Sequence, residues 1–323
     1  MKKRALSVLI KVGFTALLFL LLFRPHTFGL SEDTFGGVTP MTMWEELRGA
    51  DFNVLVPWLL FAVVVRLAGM VAGMLRWSLL LKGQGINIPF GYLAQSWFVG
   101  RFFGIFLPGT IGLDGYRLYD SSIYTGEPVK CATVIAVEKL IGFVSLTFLV
   151  FLTFPLGFRL LNINIMVFAF ILCALAAFVA VAFLLLLNPR VIQVLVAVLP
   201  TPAKVANTLN KLGLAATAYS GNRPLLLKAT FLGILVHLGA CFMFFGTMMA
   251  IRAENTSLWD ILFASPLMIY GTVLLPSIGG EGIREIAFVS LLSGTAGATA
   301  AALFAHLGWW VGDVVPFLIG MPI

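Results

Sequence analysis

The stretch Leu107-Pro108-Gly109-Thr110-Ile111-Gly112-Leu113-Asp114-Gly115-Tyr116-Arg117 recurs in weaker form as Leu275-Pro276-Ser277-Ile278-Gly279-Gly280-Glu281-Gly282-Ile283-Arg284. With one gap, both copies read Leu-Pro, a small residue, Ile-Gly, one further residue, an acid, Gly, one residue and Arg. Proline removes a backbone donor and glycine adds unfolded-state entropy, so each copy breaks a helical element. The surrounding chain is 60% hydrophobic and 11% charged, with a mean hydropathy of +1.02. That suits a polytopic membrane protein and is too apolar for a soluble core inside a polar shell. A repeated break that holds opposite charges in such a chain reads as two halves of one site.

A net charge of +7 invites a nucleic-acid reading, but the basic residues sit mostly in short loops between apolar runs, where they orient a chain in the bilayer. Nucleic acid is therefore not an expected partner. Cys131, Cys173 and Cys241 all fall in apolar runs without a CxxC partner, and read as small buried hydrophobes. No metal or cofactor is expected.

A first span at residues 6–23 follows Met1-Lys2-Lys3-Arg4 and has no Ala-x-Ala-like cleavage site after it, so it reads as a retained helix with a cytoplasmic N-terminus. The acidic loop at 25–51 suits the outer face, and its Thr42-x-x-Glu45 pattern predicts a helix start. A second span from about Val54 to Leu75 ends at Arg76-Trp77, which marks the cytoplasmic edge. Further spans are expected at about 129–154, 163–187, 225–251 and 297–319, with Ser257-x-x-Asp260 starting the apolar run before the second break. Residues 188–228 hold five basic residues and no acid, the strongest cytoplasmic signal, and Val205, Leu209, Leu212, Ala216 and Tyr219 predict either an amphipathic surface helix or an ordinary packed connector.

Charge parity then sets the topology. If residues 90–107 crossed the membrane, the basic loop at 188–228 would lie outside, so the first broken element must enter from the cytoplasm and return. The second then enters from the outer face, and the C-terminus is cytoplasmic. The expected fold is an all-α polytopic membrane protein built as an inverted-topology repeat, with two re-entrant broken-helix elements entering from opposite faces. Residues 1–323 form one transmembrane domain, with a first half at about 1–187, a connector at about 188–224 and a second half at about 225–323.

Phe98-Val99-Gly100-Arg101-Phe102-Phe103 leading to Leu107-Pro108-Gly109, Gly112-x-Asp114-Gly115-x-Arg117, Val137-Glu138-Lys139-Leu140-Ile141-Gly142 and Pro276-x-x-Gly279-Gly280-x-Gly282-x-Arg284-Glu285, together with Arg76-Trp77, resemble the transmembrane, flippase-like domain of lysylphosphatidylglycerol synthases. The resemblance covers nearly the whole chain. In bifunctional members this domain moves aminoacylated phospholipid to the outer leaflet, while a soluble domain attaches the amino acid. It implies lipid translocation by a stand-alone member, in the bacterial inner membrane, and does not specify the lipid. Two departures stand out. Lys139 replaces an Arg of the family's Glu-Arg-Leu pattern, and Glu281 stands between the paired glycines and Gly282; neither removes a charge of the expected sign.

Asp114, Arg117, Glu281, Arg284 and Glu285 are the leading substrate-binding candidates. A charge at mid-membrane costs about 2.5–3.5 kcal/mol on insertion scales, so retaining several requires pairing or a polar cargo. Guanidinium groups grip phosphate with two parallel hydrogen bonds, and carboxylates suit a cationic or hydroxyl-bearing head group or a coupling proton. The alternative is that each acid and base simply cap and pair within their own break. Glu138 and Lys139 are neighbours that point apart, so one at most should face a given cavity, and Lys139 either pairs with Asp114, binds phosphate or snorkels. Arg101, with Arg66, reads first as an interfacial anchor. His306 and Asp313, two turns apart, are secondary candidates for a mutual pair or a proton site, while His237 reads as a packing residue. No catalytic set is apparent, so a lipid flippase moving a phosphate-bearing, aminoacylated or glycosylated head group is expected rather than an enzyme. The rivals are a non-transporting scaffold of an envelope lipid pathway and a membrane-embedded lipid transferase. Membrane lipids are the expected partners, beside a second copy of the chain or a separate lipid-modifying enzyme.

Overall fold

The computed structural model describes residues 2–106, 111–161, 165–188, 221–253, 255–275 and 279–322, together with 207, 210, 211, 213, 217–219 and 277. The corner of the first break at 107–110, Pro276 and Ile278 of the second, and the connector positions Val205, Leu209, Leu212 and Ala216 lie outside the described residues. The fold is all-α and polytopic. Its helices are α1 (Lys2–Phe23), α2 (Pro40–Gly49), α3 (Phe52–Gly83), α4 (Phe90–Phe106), α5 (Ile111–Thr125), α6 (Pro128–Gly157), α7 (Ile165–Leu187), α8 (Arg223–Ala250), α9 (Leu258–Leu274), α10 (Ile283–Ala296), α11 (Ala298–Trp309) and α12 (Val315–Gly320). A π turn at Trp310–Val314 joins α11 to α12.

Helix starts follow local chemistry. Ser257 and Asp260 form the expected capping box of α9, in which the Asp260 N–H donates to Ser257 Oγ at 3.2 Å and the Ser257 N–H donates to Asp260 Oδ2 at 2.9 Å. The start of α2 differs from the expectation. Thr39, not Thr42, is its N-cap, because Pro40 supplies the first helical position, and the Thr42 N–H donates to Thr39 Oγ1 at 3.1 Å. Helix α3 also continues well beyond Arg76-Trp77. The apolar side chains of Leu80 and Leu81 prolong its buried face to Gly83, and Arg76 is buried inside the bundle instead of marking an edge.

Among the described residues, four helical segments are long and apolar enough to cross a membrane: Phe52–Gly83, Pro128–Leu160, Arg223–Ala250 and Ala298–Gly320. Their hydropathy windows are only 22%, 44%, 33% and 44% buried, so most of their apolar side chains face outward, as bilayer solvation requires. By contrast α4, α5, α9 and α10 contain 17, 15, 17 and 14 residues, below the roughly 20 that span a hydrocarbon core. They pair into two hairpins. Helices α4 and α5 run antiparallel, with Gly104 against Gly112 near the tip and the Tyr92 hydroxyl donating to Asp120 Oδ1 at 2.8 Å near the base. Helices α9 and α10 do the same, with Gly271 against Ile283 near the tip and Thr256 Oγ1 donating to Thr295 Oγ1 at 3.0 Å near the base.

In each half of the sequence a long helix is followed by a hairpin of short ones, α3 by α4/α5 and α8 by α9/α10. Helices α3 and α8 lie antiparallel along the centre, from the Asp51–Arg252 ion pair at one end (2.9 Å) to Gly83 against Leu225 at the other. Each hairpin leans on the closing span of the opposite half. Helix α4 rests on α12, where the Phe102 and Phe317 rings stack 5.0 Å apart. Helix α9 rests on α6, where Phe263 packs on Gly157 and the Tyr270 and Thr147 hydroxyls are hydrogen-bonded. One detail departs from the sequence reading. Cys173 is exposed on α7, whereas Cys131 and Cys241 are buried. Tyr219 packs on the end of α3, its hydroxyl donating to the Leu80 carbonyl at 2.8 Å.

The α3–α8 contact is closest where Gly69 meets Gly239: a Cβ on Gly239 would lie 2.9 Å from the Gly69 Cα and 3.0 Å from the Val65 carbonyl. Backbone cannot give way as a side chain can, so Gly239→Val should lower stability by about 1–3 kcal/mol. Gly294→Ala, where a Cβ meets nothing within 4 Å, should not. Thermal unfolding of both variants in detergent checks the contrast.

Candidate functional site

A cavity of about 270 Å³ opens between the halves. It is lined from α3 by Arg66 and Arg76, from α8 by His237 and Met243, from the first hairpin by Arg101, Asp114 and Arg117, and from the second by Gly280 and Arg284. Glu138 and Lys139 on α6, Trp309 on α11 and Asp313 in the π turn complete its polar wall. Arg66 and His237 lie near mid-length of α3 and α8, Arg76 lies nearer the Gly83 end of α3, and Met243 nearer the Ala250 end of α8. The cavity volume falls just below the range of about 300–1,000 Å³ for ligand pockets, enough for a lipid head group without its chains.

One wall is organised by Glu138. Its Oε1 accepts from Arg76 Nη2 at 2.9 Å and its Oε2 from Arg117 Nη2 at 2.8 Å, with both side chains almost fully buried. Arg117 also donates to Asp114 Oδ1 at 3.1 Å, and the other oxygen of Asp114 pairs with Lys139. The Arg117 guanidinium lies between the Trp77 and Trp97 rings, 4.7 and 4.5 Å from their centroids, so cation–π attraction replaces part of its lost hydration. Glu138 and Lys139 thus do not divide between two environments. Both line the cavity, because Asp114 and Arg117, one turn apart on α5, reach across to meet both neighbours.

The facing wall is organised by Arg284. Gly279, Gly280 and Gly282 adopt positive φ of 60°, 78° and 77°, a backbone run that only glycine adopts freely. This curl brings the Gly279 carbonyl within 2.8 Å of Arg284 Nη2, and the Gly282 N–H donates to Glu285 Oε2 at 2.8 Å. Arg284 also approaches Glu281 at 3.4 Å, Glu285 at 4.0 Å and Asp313 at 3.8 Å. Asp313 accepts from Arg101 Nη1 at 3.0 Å, which draws Arg101 into the cavity wall and away from an anchoring role. The π turn rotates Asp313 toward both arginines and removes it from His306, whose Nδ1 lies 3.7 Å from Glu285 instead. His237 is the expected packing residue, its Nε2 donating to the Gly142 carbonyl at 3.2 Å.

Both expected acid–base pairs within the breaks are therefore present, and each arginine also reaches past its own break, Arg117 to α6 and Arg284 to the π turn. Arg101, Asp114, Arg117, Glu138, Lys139, Arg284 and Asp313 line the cavity, while Glu281, Glu285 and His306 gather beside it. Those three are the only donor set among the described residues with the spacing of a metal site, and Arg284 standing 3.4 Å from Glu281 disfavours a divalent ion there. Sequence reasoning missed Arg66 and Arg76 as cavity residues. The available signal was the leucine run that continues past Arg76 and places it inside a span.

Counted along the wall, Arg66, Arg76, Arg101, Arg117, Lys139 and Arg284 face Asp114, Glu138 and Asp313, and with Glu281 and Glu285, which approach Arg284 from beside the cavity, the six cations exceed the five carboxylates by one charge. Several guanidinium donors also have no acceptor: Arg66 Nε, Arg76 Nε and Nη1, Arg101 Nε and Arg117 Nε are buried without a hydrogen-bond partner. Buried donors left unmatched cost about 1–3 kcal/mol each, more when charged, which an anion in the cavity relieves.

A polytopic helical membrane protein with a cation-rich cavity among its helices is the class these features define. The chain belongs to the family of the lysylphosphatidylglycerol synthase transmembrane region, whose model matches residues 8–320, and so to the membrane proteins of lipid metabolism and transport. No curated protein matches it in sequence.

Glu138→Gln leaves two buried guanidinium groups short of a charge. It should lower stability by about 3–5 kcal/mol, the scale for breaking a buried ion pair. Lys139→Met, at a side chain 37% exposed, should cost far less. Detergent unfolding of the two variants measures the difference.

Proposed function

We propose that the protein moves a phosphate-bearing, polar-headed lipid between leaflets, the head group passing through the central cavity while the acyl chains stay in the bilayer. The observation that carries this reading is the excess of cationic side chains around a cavity bordered by both hairpins, with guanidinium donors buried and unmatched. In this reading Arg66, Arg101, Arg117 and Arg284 hold the phosphate. Asp114, Glu138 and Asp313 keep the cations in place when no lipid is bound and meet a cationic or hydroxyl-bearing extension of the head group. The α4/α5 hairpin enters from the cytoplasm and α9/α10 from the outer face of a bacterial inner membrane, with both termini cytoplasmic. Support for that orientation comes from the basic 188–228 segment and from the antiparallel α3 and α8. A separate lipid-modifying enzyme is the partner that would supply the head group.

Purified protein in liposomes should move fluorescent phosphatidylglycerol between leaflets. Arg101→Gln, Arg117→Ala and Asp114→Asn should each slow it about tenfold or more, since a hydrogen bond to a charged group contributes about 1.5–3 kcal/mol. Unchanged transport in all three, in variants that remain folded, would remove the cavity from the mechanism.

For the topology, Glu127→Cys at the base of the first hairpin and Ser293→Cys near the base of the second are introduced after Cys131, Cys173 and Cys241 are replaced by alanine. An impermeant maleimide should reach them from opposite faces of the membrane. Labelling from one face contradicts re-entry from opposite sides.

A further inference from the structure

Beside the cavity, at the tip of the second hairpin, Glu281, Glu285 and His306 bring ligand atoms within 4.8 Å of one another. The Glu285 side chain is 1% exposed. Its Oε2 is satisfied by the Gly282 N–H, whereas its Oε1 is buried without a hydrogen-bond partner, 3.7 Å from His306 Nδ1 and 4.0 Å from Arg284 Nη1. Glu281 relies on Arg284 at 3.4 Å. The charged groups that face the cluster are Arg284 on α10, His306 on α11, Asp313 in the π turn at 3.8 Å from Arg284, and Arg101 on α4 behind Asp313. Helices α9 and α1 contribute Thr272 and Leu18 to the surface around this tip, neither of them charged.

With a neutral imidazole, and with Asp313 held by Arg101, two carboxylates share one guanidinium. The cluster lacks a single positive charge. A divalent ion would overfill that deficit beside Arg284, whereas one proton fills it. Arg284 also lines the cavity, so a phosphate held there competes with Glu281 for the same guanidinium.

We propose that Glu281, Glu285 and His306 form a proton-binding site whose affinity is set by Arg284, so that a phosphate engaging Arg284 from the cavity brings one proton onto Glu281. The proton comes from water and adds to a carboxylate oxygen to give the neutral acid, and no other bond changes. Because the linkage is reciprocal, the protonated site favours phosphate in turn. The coupling rests on the transport reading above, while the proton site does not.

Two measurements test it on the full-length protein. In maltoside detergent free of phospholipid and phosphate, Arg284→Gln withdraws the charge that a phosphate would draw off. Infrared pH-difference spectra should then show the carbonyl stretch of a protonated carboxyl group at neutral pH, absent from the wild type and from Arg284→Gln combined with Glu281→Gln. In lightly buffered detergent solution, wild-type protein titrated with dihexanoyl phosphatidylglycerol should take up about one proton per lipid bound, and Glu281→Gln none per lipid bound. In liposomes, wild-type transport should rise roughly tenfold per pH unit of acidification while the site is unprotonated, and Glu281→Gln should flatten that slope.

Lipid binding to wild type without proton uptake overturns the coupling. A folded Arg284→Gln protein lacking the carboxyl signal overturns the site, as does stoichiometric Zn2+ binding to wild type by calorimetry, which would assign the cluster to a metal. If the carboxyl signal appears but no lipid binds, the proton site stands and the transport reading falls.

Discussion

Glu138 between Arg76 and Arg117 is the interaction on which the rest of the structure depends. Three charged side chains less than a tenth exposed meet there from α3, α5 and α6, so one carboxylate ties three helices together. Desolvating such charges is offset only if every partner is in place, which makes the arrangement intolerant of small shifts. Arg117 has more than ion pairing to hold it there. The two indole rings beside it supply the attraction that water would otherwise give. The first hairpin is thus held by charge and aromatic contact together, whereas the second is held by the curl of three glycines around Arg284.

The opposing walls solve one problem differently. On the Glu138 side the ion pairs of Arg76 and Arg117 are short, 2.8–3.1 Å, and Arg76, Arg117 and Glu138 are nearly closed to solvent. Across the cavity, Arg284 is divided among two glutamates, an aspartate and a carbonyl, most of them at the long end of ion-pair distance. A loosely shared cation changes partner more readily than a tightly matched one. The tight wall therefore serves as frame, and the loose wall has the freedom to respond to cargo.

Much of this was legible in the sequence because it is local. The two breaks, the acid and base within each and the Ser257 cap all follow from composition and short spacing, whereas the pairing of Lys139 with Asp114 was one of three readings the sequence left open. Arg76 illustrates what was not legible. Beside Trp77 it resembles an ordinary membrane-edge arginine, and only a partner 62 residues away, Glu138, shows it to be interior. The same holds for Asp313. Its place opposite His306 in an ideal helix is undone by one π turn, and no residue type announces that extra residue in the turn. Thr39 is a milder case, in which Pro40 outweighed the Thr42-x-x-Glu45 pattern.

The crossed support of the hairpins also has a consequence for the order in which the protein can be completed. Helix α4 leans on α12, and Arg101 finds its carboxylate 212 residues later in Asp313. During synthesis the first hairpin is therefore made well before its brace. Until α12 follows, a guanidinium and an aromatic face inside the bundle lack their native neighbours, and that interval is when insertion factors or surrounding lipid must shelter them.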